Sequence, residues 1–191
     1  DAEEAERIYD MMGPAVEASG GSAANTAAGV ASFGGHAAYI GKVATDAFGE
    51  VFTHDIRSQG VHFETRPLFD GAPTARCMIL ITPDSERTMN TYLGACHHLT
   101  VDDIEEKVVA AARYTYLEGF LWDPPAAKEA FRKAAAIAHA HGRLASITLS
   151  DSFCVDRFRP EFLDLMRSGT VDLVFANKEE AKALYETHDL D

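Results

Sequence analysis

A chain of 191 residues is long enough for one α/β domain with a substantial core and a small appendage. Apolar residues at 47% and charged residues at 25% exclude the disordered and fibrous classes. Thirty acidic against 17 basic side chains give a formal net charge of −13 without a Lys/Arg cluster, which excludes a nucleic-acid partner. A small anionic ligand would need local N–H groups, one or two Lys or Arg side chains and a divalent cation to offset the acidic field. Charges break every apolar stretch short of a bilayer span and no leader-like segment opens the chain, so no membrane partner is expected. Cys77, Cys96 and Cys154 are odd in number and widely spaced, which predicts a reducing, cytoplasmic location. The eight scattered histidines read as solvated rather than as metal ligands.

In chain order, residues 2–12 predict a short helix closed by Gly13-Pro14, and residues 15–18 a strand running into Gly20-Gly21. Residues 22–33 are small and apolar almost all round, as in a helix buried against a sheet, with Gly34-Gly35 as its stop. Residues 36–43 predict a buried strand, and Asp46 caps a helix that Gly60 ends. Residues 61–66 alternate, with Val61 and Phe63 to one side and His62 and Glu64 to the other. Residues 75–82 and 87–93 flank Pro83-Asp84-Ser85-Glu86 as a hairpin. With no long helix between residues 61 and 93, these three strands are expected to make a small sheet of their own.

Beyond Thr100 helix and strand alternate. Helices are predicted over 101–112, from Asp123-Pro124-Pro125 to Gly142, over 154–168, and from Asn177. Strands fall at 114–117, 144–149 and 171–175. Such βαβ grammar calls for parallel strands with right-handed crossovers, and the ligand cleft of an open parallel sheet lies off the strands' carboxyl ends. Glu118, Asp123, Ser150, Asp151, Ser152, Asn177 and Glu180 gather there.

Two helix starts carry the chemistry. Gly20-Gly21-Ser22-Ala23-Ala24-Asn25 lets backbone and ligand approach closely, and the Asn25 amide both donates and accepts, which suits a sugar diol. An ordinary tight turn would use the same glycines. The stretch does not match Gly-x-Gly-x-x-Gly, which disfavours a nucleotide-binding oxidoreductase. Asn177-Lys178-Glu179-Glu180 is close to a capping box, and its carboxylate could instead organise a hydrated Mg²⁺ beside phosphates. Asp46 is read as a helix cap.

As an ordered set, Gly20-Gly21 with Asn25, Gly41-x-x-x-x-Asp46-x-x-Gly49, a lid-like hairpin and a late Asn-x-x-Glu resemble the ribokinase-like, or phosphofructokinase-B, family of carbohydrate and nucleoside kinases. Residues 86–92, 149–153 and 175–180 look most like its adenosine kinase branch. The resemblance implies an α/β, ribokinase-like parallel sheet flanked by helices, with part of a small β-sheet lid. Residues 1–60 and 94–191 would be the core and 61–93 the lid segment.

It also implies ATP-dependent phosphorylation, with Mg²⁺, of a hydroxymethyl group on a nucleoside or sugar, adenosine to AMP foremost. A ribokinase- or fructokinase-type sugar kinase and a non-catalytic kinase-fold module are the alternatives. Gly20, Gly21 and Asn25 would hold the acceptor's hydroxyls. Asn177 and Glu180 would shape the nucleotide site, with Glu180 on Mg²⁺ through water, and Arg87 on the hairpin would approach the transferring phosphate. The lid strands are candidate pairing edges for a homodimer.

The sequence departs from the family pattern at Ala44, where the first signature has a glycine, and in having no Gly-Ala-Gly-Asp between Glu180 and Asp191 and no opening strand with a sugar-gripping aspartate. In the family the Gly-Ala-Gly-Asp segment supplies an anion hole and the general base. That general-base aspartate is expected downstream of Asp191, so no catalytic base is assigned within these residues. The chain is therefore expected to be incomplete at both ends relative to the family and inactive by itself.

Overall fold

The structure, a computed structural model, describes residues 1–189. Helix α1 (Ala2–Met11) opens on Asp1, whose carboxylate accepts the Glu4 amide. Helix α2 (Ser22–Ser32) starts from Gly21, whose φ of 109° would strain any residue with a Cβ. Helix α3 (Ala47–Ser58) is capped by Asp46. Strands β1 (Arg76–Ile81) and β2 (Arg87–Tyr92) form an antiparallel hairpin with Arg76 opposite Tyr92. Its principal packing partner is α1. Then follow α4 (Glu106–Ala111), β3 (Tyr114–Glu118), α5 (Pro125–Ala140), β4 (Leu144–Thr148), α6 (Ser152–Arg167), β5 (Leu173–Phe175) and α7 (Lys178–Tyr185).

Strands β3, β4 and β5 form a parallel sheet in that order, with Glu118 level with Thr148 and Thr148 level with Phe175. Leu117, Ala145 and Ile147 turn toward α5 and α6, where Trp122, Leu149, Val155, Phe162 and Leu165 complete the main core. Each such large side chain contributes roughly 1.5–3 kcal/mol by leaving water. The other sheet face carries Tyr114, Tyr116, Leu173 and Phe175, all partly exposed, with α2 lying against β3. A second core joins Ala24, Val43, Ile56, Val61 and Phe63, with the rings of Tyr39, Phe52 and Phe63 at 5.5–5.8 Å from one another, Tyr39 tilted against the other two and Phe52 edge-on to Phe63. Lys42 and Asp103, nearly buried, pair between the two parts. Breaking such a pair by removing one partner strands a buried charge.

Several sequence expectations are corrected. Residues 15–18 are extended without a ladder, and Val16 is 96% exposed, because no neighbouring strand offers them hydrogen bonds. Residues 36–43 and 61–66 meet only at the parallel bridge Ala38–His62, with a second bridge at Ala44–Leu68. The alternation of Val61 and Phe63 inward holds. The segment does not, however, join the hairpin, which stays two-stranded. Helix α2 is far from buried all round, since among its residues only Ala24 is buried. The helix expected over 101–112 is broken: Thr100 and Asp103 close a capping box around the 3-10 turn Val101–Asp103, Ile104 turns extended, and α4 starts afresh. Helix α6 is kinked at Phe158, two residues before Pro160, where the proline ring excludes regular helix behind it. The core segment expected to run to Asp191 is seen as far as residue 189; Asp191 itself, and with it the general-base aspartate expected downstream of Asp191, lies outside the described residues.

Two side-chain arrangements yield tests. Trp122 Nε1 donates to Glu161 Oε2 at 2.9 Å, and Lys128 Nζ donates to both Glu161 oxygens at 2.8 Å. Burial works to raise the Glu161 carboxyl, but Lys128, Trp122 and nearby Arg132 outweigh it and leave it below its ordinary value of 4.5. A depressed carboxyl stabilises the fold above its unfolded pKa and loses that contribution as pH falls through the folded value. The melting temperature of Glu161→Gln is therefore expected to fall less than that of the unaltered protein between about pH 6 and about pH 3 in circular dichroism melts. At Gly119 a Cβ would stand 2.4 Å from the Thr148 carbonyl oxygen and 2.8 Å from Ser150 Oγ. Gly119→Ala is expected to destabilise by about 1–3 kcal/mol in urea titration.

Candidate functional site

In a parallel sheet the last residue of every strand leaves on the same edge, and here that edge collects polar groups. Glu118 ends β3. Its Oε1 accepts the Ser150 hydroxyl at 2.7 Å, while its Oε2 is buried without a hydrogen-bond partner. Ser150 follows β4 with φ 73°, a left-handed conformation that a serine adopts only when its surroundings impose it. This turn aims its Oγ at both Glu118 and the Phe120 amide, which donates to it at 2.9 Å. Asp151 caps α6 through the Cys154 amide. Burial pushes the Cys154 thiol up to about 12, which makes it a packing group rather than a nucleophile.

Asn177 follows β5 and opens α7 with a complete capping box. Glu180 N donates to Asn177 Oδ1 at 2.9 Å; Asn177 N and Nδ2 donate back to the two Glu180 oxygens at 3.1 and 2.6 Å. Glu180 is 5% exposed and both its oxygens are engaged, so the box predicted from the spacing is present in full. Among the described residues no group of three or more His, Cys, Asp or Glu could hold a metal ion. These donors fit Mg²⁺ only as a hydrated ion whose waters reach the carboxylate.

Gly20 and Gly21 open α2. A Cβ on Gly20 would meet nothing within 4 Å, so packing does not require a glycine there; the conformation of Gly21 does require one. Asn25 donates its backbone amide to Gly21 O at 2.7 Å, and its exposed side chain makes no hydrogen bond among the described residues. Arg87 lies on β2 beside the hairpin turn, exposed, and makes no ion pair among the described residues.

Tyr116 lies on the exposed face of β3. Its ring is 5.9 Å from that of Phe175, two residues before Asn177. Burial raises its phenol pKa, as do the charges of Glu118 and Glu180, while the hydroxyls of Thr148 and Thr26 work the other way. Thr26 is the neighbour of Asn25 on α2. Helix α2 lies against β3 and α7 follows β5 and packs on α6, and Arg87 hydrogen-bonds to neither helix start among the described residues. Sequence reading passed over Tyr116, Thr26 and Thr148; the alternation of Tyr114, Tyr116 and Glu118 along one strand face was the available signal.

No helix among the described residues is long and apolar enough to cross a membrane. The chain superposes on the crystal structure of adenosine kinase from Sinorhizobium meliloti with a TM-score of 0.95 and 68% identity, covering 99% of this chain and 58% of that one. A probable sugar kinase protein from Rhizobium etli gives the same TM-score at 66% identity, covering 99% and 57%. Adenosine kinase 2 of Arabidopsis thaliana is 26% identical over 164 residues, which is 81% of this chain and 44% of that protein. The chain thus spans little more than half of its structural relatives. Its fold is ribokinase-like, a parallel sheet with flanking helices. Residues 13–191 match the pfkB family carbohydrate kinases, and the chain belongs to that family.

Proposed function

We propose that this chain is the acceptor-binding and nucleotide-entry portion of an ATP-dependent kinase that phosphorylates the hydroxymethyl group of a nucleoside, adenosine foremost, to the 5′-phosphate. The observation that carries this reading is the parallel sheet whose carboxyl edge is followed by Ser150, Asp151 and Asn177, with the glycine-opened helix α2 lying against β3 of the same sheet. Similarity to an adenosine kinase at 68% identity supports the acceptor. Phosphoryl transfer depends on positioning and charge stabilisation more than on covalent chemistry, so a site of this kind needs a hydroxyl-gripping end and a phosphate-gripping end close together.

At the acceptor end, the unengaged Asn25 amide and the open space at Gly20 would take the ribose hydroxyls. Glu118, with one buried oxygen unpartnered, would accept a further hydroxyl. At the other end, Asn177 and Glu180 would order the water shell of Mg²⁺, and Arg87 would approach the phosphate as the hairpin closes. Mg²⁺ bound with ATP neutralises the phosphate charge that an acidic chain would otherwise repel. The 191 residues contain no Gly-Ala-Gly-Asp segment, so by themselves they are proposed not to turn over, the general base being supplied from beyond Asp191. The hairpin is the part of the expected lid, residues 61–93, that stands clear of the body; its exposed edges would pair in a homodimer. Cys77, Cys96 and Cys154 are all free thiols, which favours the cytoplasm.

The second reading, a sugar kinase, is favoured by the equal structural match to the Rhizobium etli protein. Titration calorimetry of the full-length protein with adenosine, ribose and fructose separates them. Adenosine is expected to bind best, and Asn25→Leu is expected to weaken it about tenfold, the effect of one lost hydrogen-bonded contact to a buried acceptor. Heat with ribose or fructose alone would transfer the assignment to sugars, and no heat with any of the three would remove both readings.

A further inference from the structure

Asp46 does more than cap α3. Its Oδ1 accepts the Gly49 amide at 2.8 Å and the Thr74 hydroxyl at 2.6 Å, and its Oδ2 accepts the Thr74 amide at 2.8 Å. Thr74 Oγ1 in turn accepts the Ala44 amide at 2.9 Å, and Thr74 is 6% exposed. A cap needs only the bond to Gly49. The two bonds to Thr74 reach 28 residues along the chain to the segment that enters the hairpin. The segment that leaves the hairpin is fastened at the same place. Ala95 N donates to Pro73 O at 2.9 Å, and a Cβ on Gly94 would stand 2.1 Å from that oxygen.

Both roots of the hairpin are thus gathered beside one carboxylate. Beyond this point residues 76–92 pack mainly on α1, with Arg76 3.9 Å from Glu6 and its guanidinium 5.8 Å from the Phe48 ring. Their outer face, Cys77, Ile79, Ile81 and Met89, is exposed. Helix α1 itself rejoins the body through Gly20 and Gly21, where Ser19 Oγ donates to Asp55 Oδ2 at 2.6 Å. The α1–hairpin unit therefore has one stiff attachment and one glycine-rich one.

We infer that the Asp46–Thr74 joint is the fulcrum on which α1 and the hairpin swing, so that Asp46 and Thr74 are positioning residues for lid closure. A carboxylate suits this duty because it accepts along both oxygens, and charge-assisted bonds of this kind are the short, strong ones. Asparagine would turn a donor toward either the Thr74 or the Gly49 donors, and serine would cap α3 without reaching Thr74. The donors around Asp46 overcome the effect of burial and hold its carboxyl below its ordinary value, consistent with a fully engaged anion. The link to closure over an acceptor rests on the kinase reading; the mechanical role does not.

Electron–electron distance measurement between spin labels on Cys77 and on a cysteine replacing exposed Glu129, with Cys96→Ala to confine labelling, tests the joint directly. The unaltered joint and Thr74→Ser, which keeps the hydroxyl, are expected to give one narrow distribution. Thr74→Val and Asp46→Ser are expected to widen it about twofold, as a loosened hinge does. In the full-length enzyme Thr74→Val is expected to raise the acceptor KM about fivefold to tenfold with little change in kcat, and Thr74→Ser to restore it. Unchanged distance distributions in Thr74→Val, even with a lowered melting temperature, would reduce Asp46 and Thr74 to cap and packing residues. An enzyme inactive on every acceptor would remove the kinase reading and leave the distance measurement to decide the joint; should Asp46→Ser fail to fold, Thr74→Val decides.

Discussion

The parallel register of β3, β4 and β5 is the constraint from which the rest of this molecule follows. Glu118, Thr148 and Phe175 stand level, so the loops after the strands open on one edge. Crossover helices α5 and α6 bury one face of the sheet and supply the main core. The second face carries Tyr116, whose ring lies 5.9 Å from that of Phe175 at the end of β5, and α2 lies against β3. A glycine-opened helix from the first third of the chain thus lies against the first strand of a sheet whose last strand leads into the Asn-capped helix, although some 150 residues separate the two helix starts.

For an acidic chain to bind a phosphate, as proposed, the electrostatic problem must be solved locally. Here the carboxylates nearest the edge are not left as free repulsive charges. Glu180 is committed to Asn177 through both oxygens, and Asp151 to the Cys154 amide. Glu118 accepts the Ser150 hydroxyl through one oxygen and keeps the other open. Among the described residues the Asn25 side-chain amide on α2 and Glu118 Oε2 at the end of β3 make no hydrogen bond, and both are suited to hydroxyls.

Much of this was legible in the residues themselves, and the exceptions have physical causes. Asp123-Pro124-Pro125, Gly142, the capping residues Asp46 and Asn177, and the hairpin around Pro83-Asp84-Ser85-Glu86 act through neighbours a few positions away, and each formed where it was read. Ladders are non-local. Residues 15–18 and 61–66 have strand-like composition, yet which partner they meet is set by the tertiary arrangement, and only a bridge to Ala38 resulted for the second. The break at Ile104 came from a competing cap at Thr100 within a stretch that otherwise reads as helix. The candidate site divides the same way: Gly20, Gly21, Asn25, Asn177 and Glu180 are nominated by motif, whereas the contact of Tyr116 with Phe175 and the clasp of Asp46 on Thr74 are created by distant segments meeting.

The proposed function requires the first turns of α2 and α7 to bind acceptor and nucleotide at one site. Amide chemical-shift mapping of the full-length protein, first with adenosine and then with a non-hydrolysable ATP analogue and Mg²⁺, measures this most directly. Adenosine is expected to shift Asn25 and Thr26, the nucleotide to shift Asn177 and Glu180, and Tyr116 to respond to both. Shifts from adenosine and nucleotide that leave either helix start and Tyr116 unmoved would contradict it.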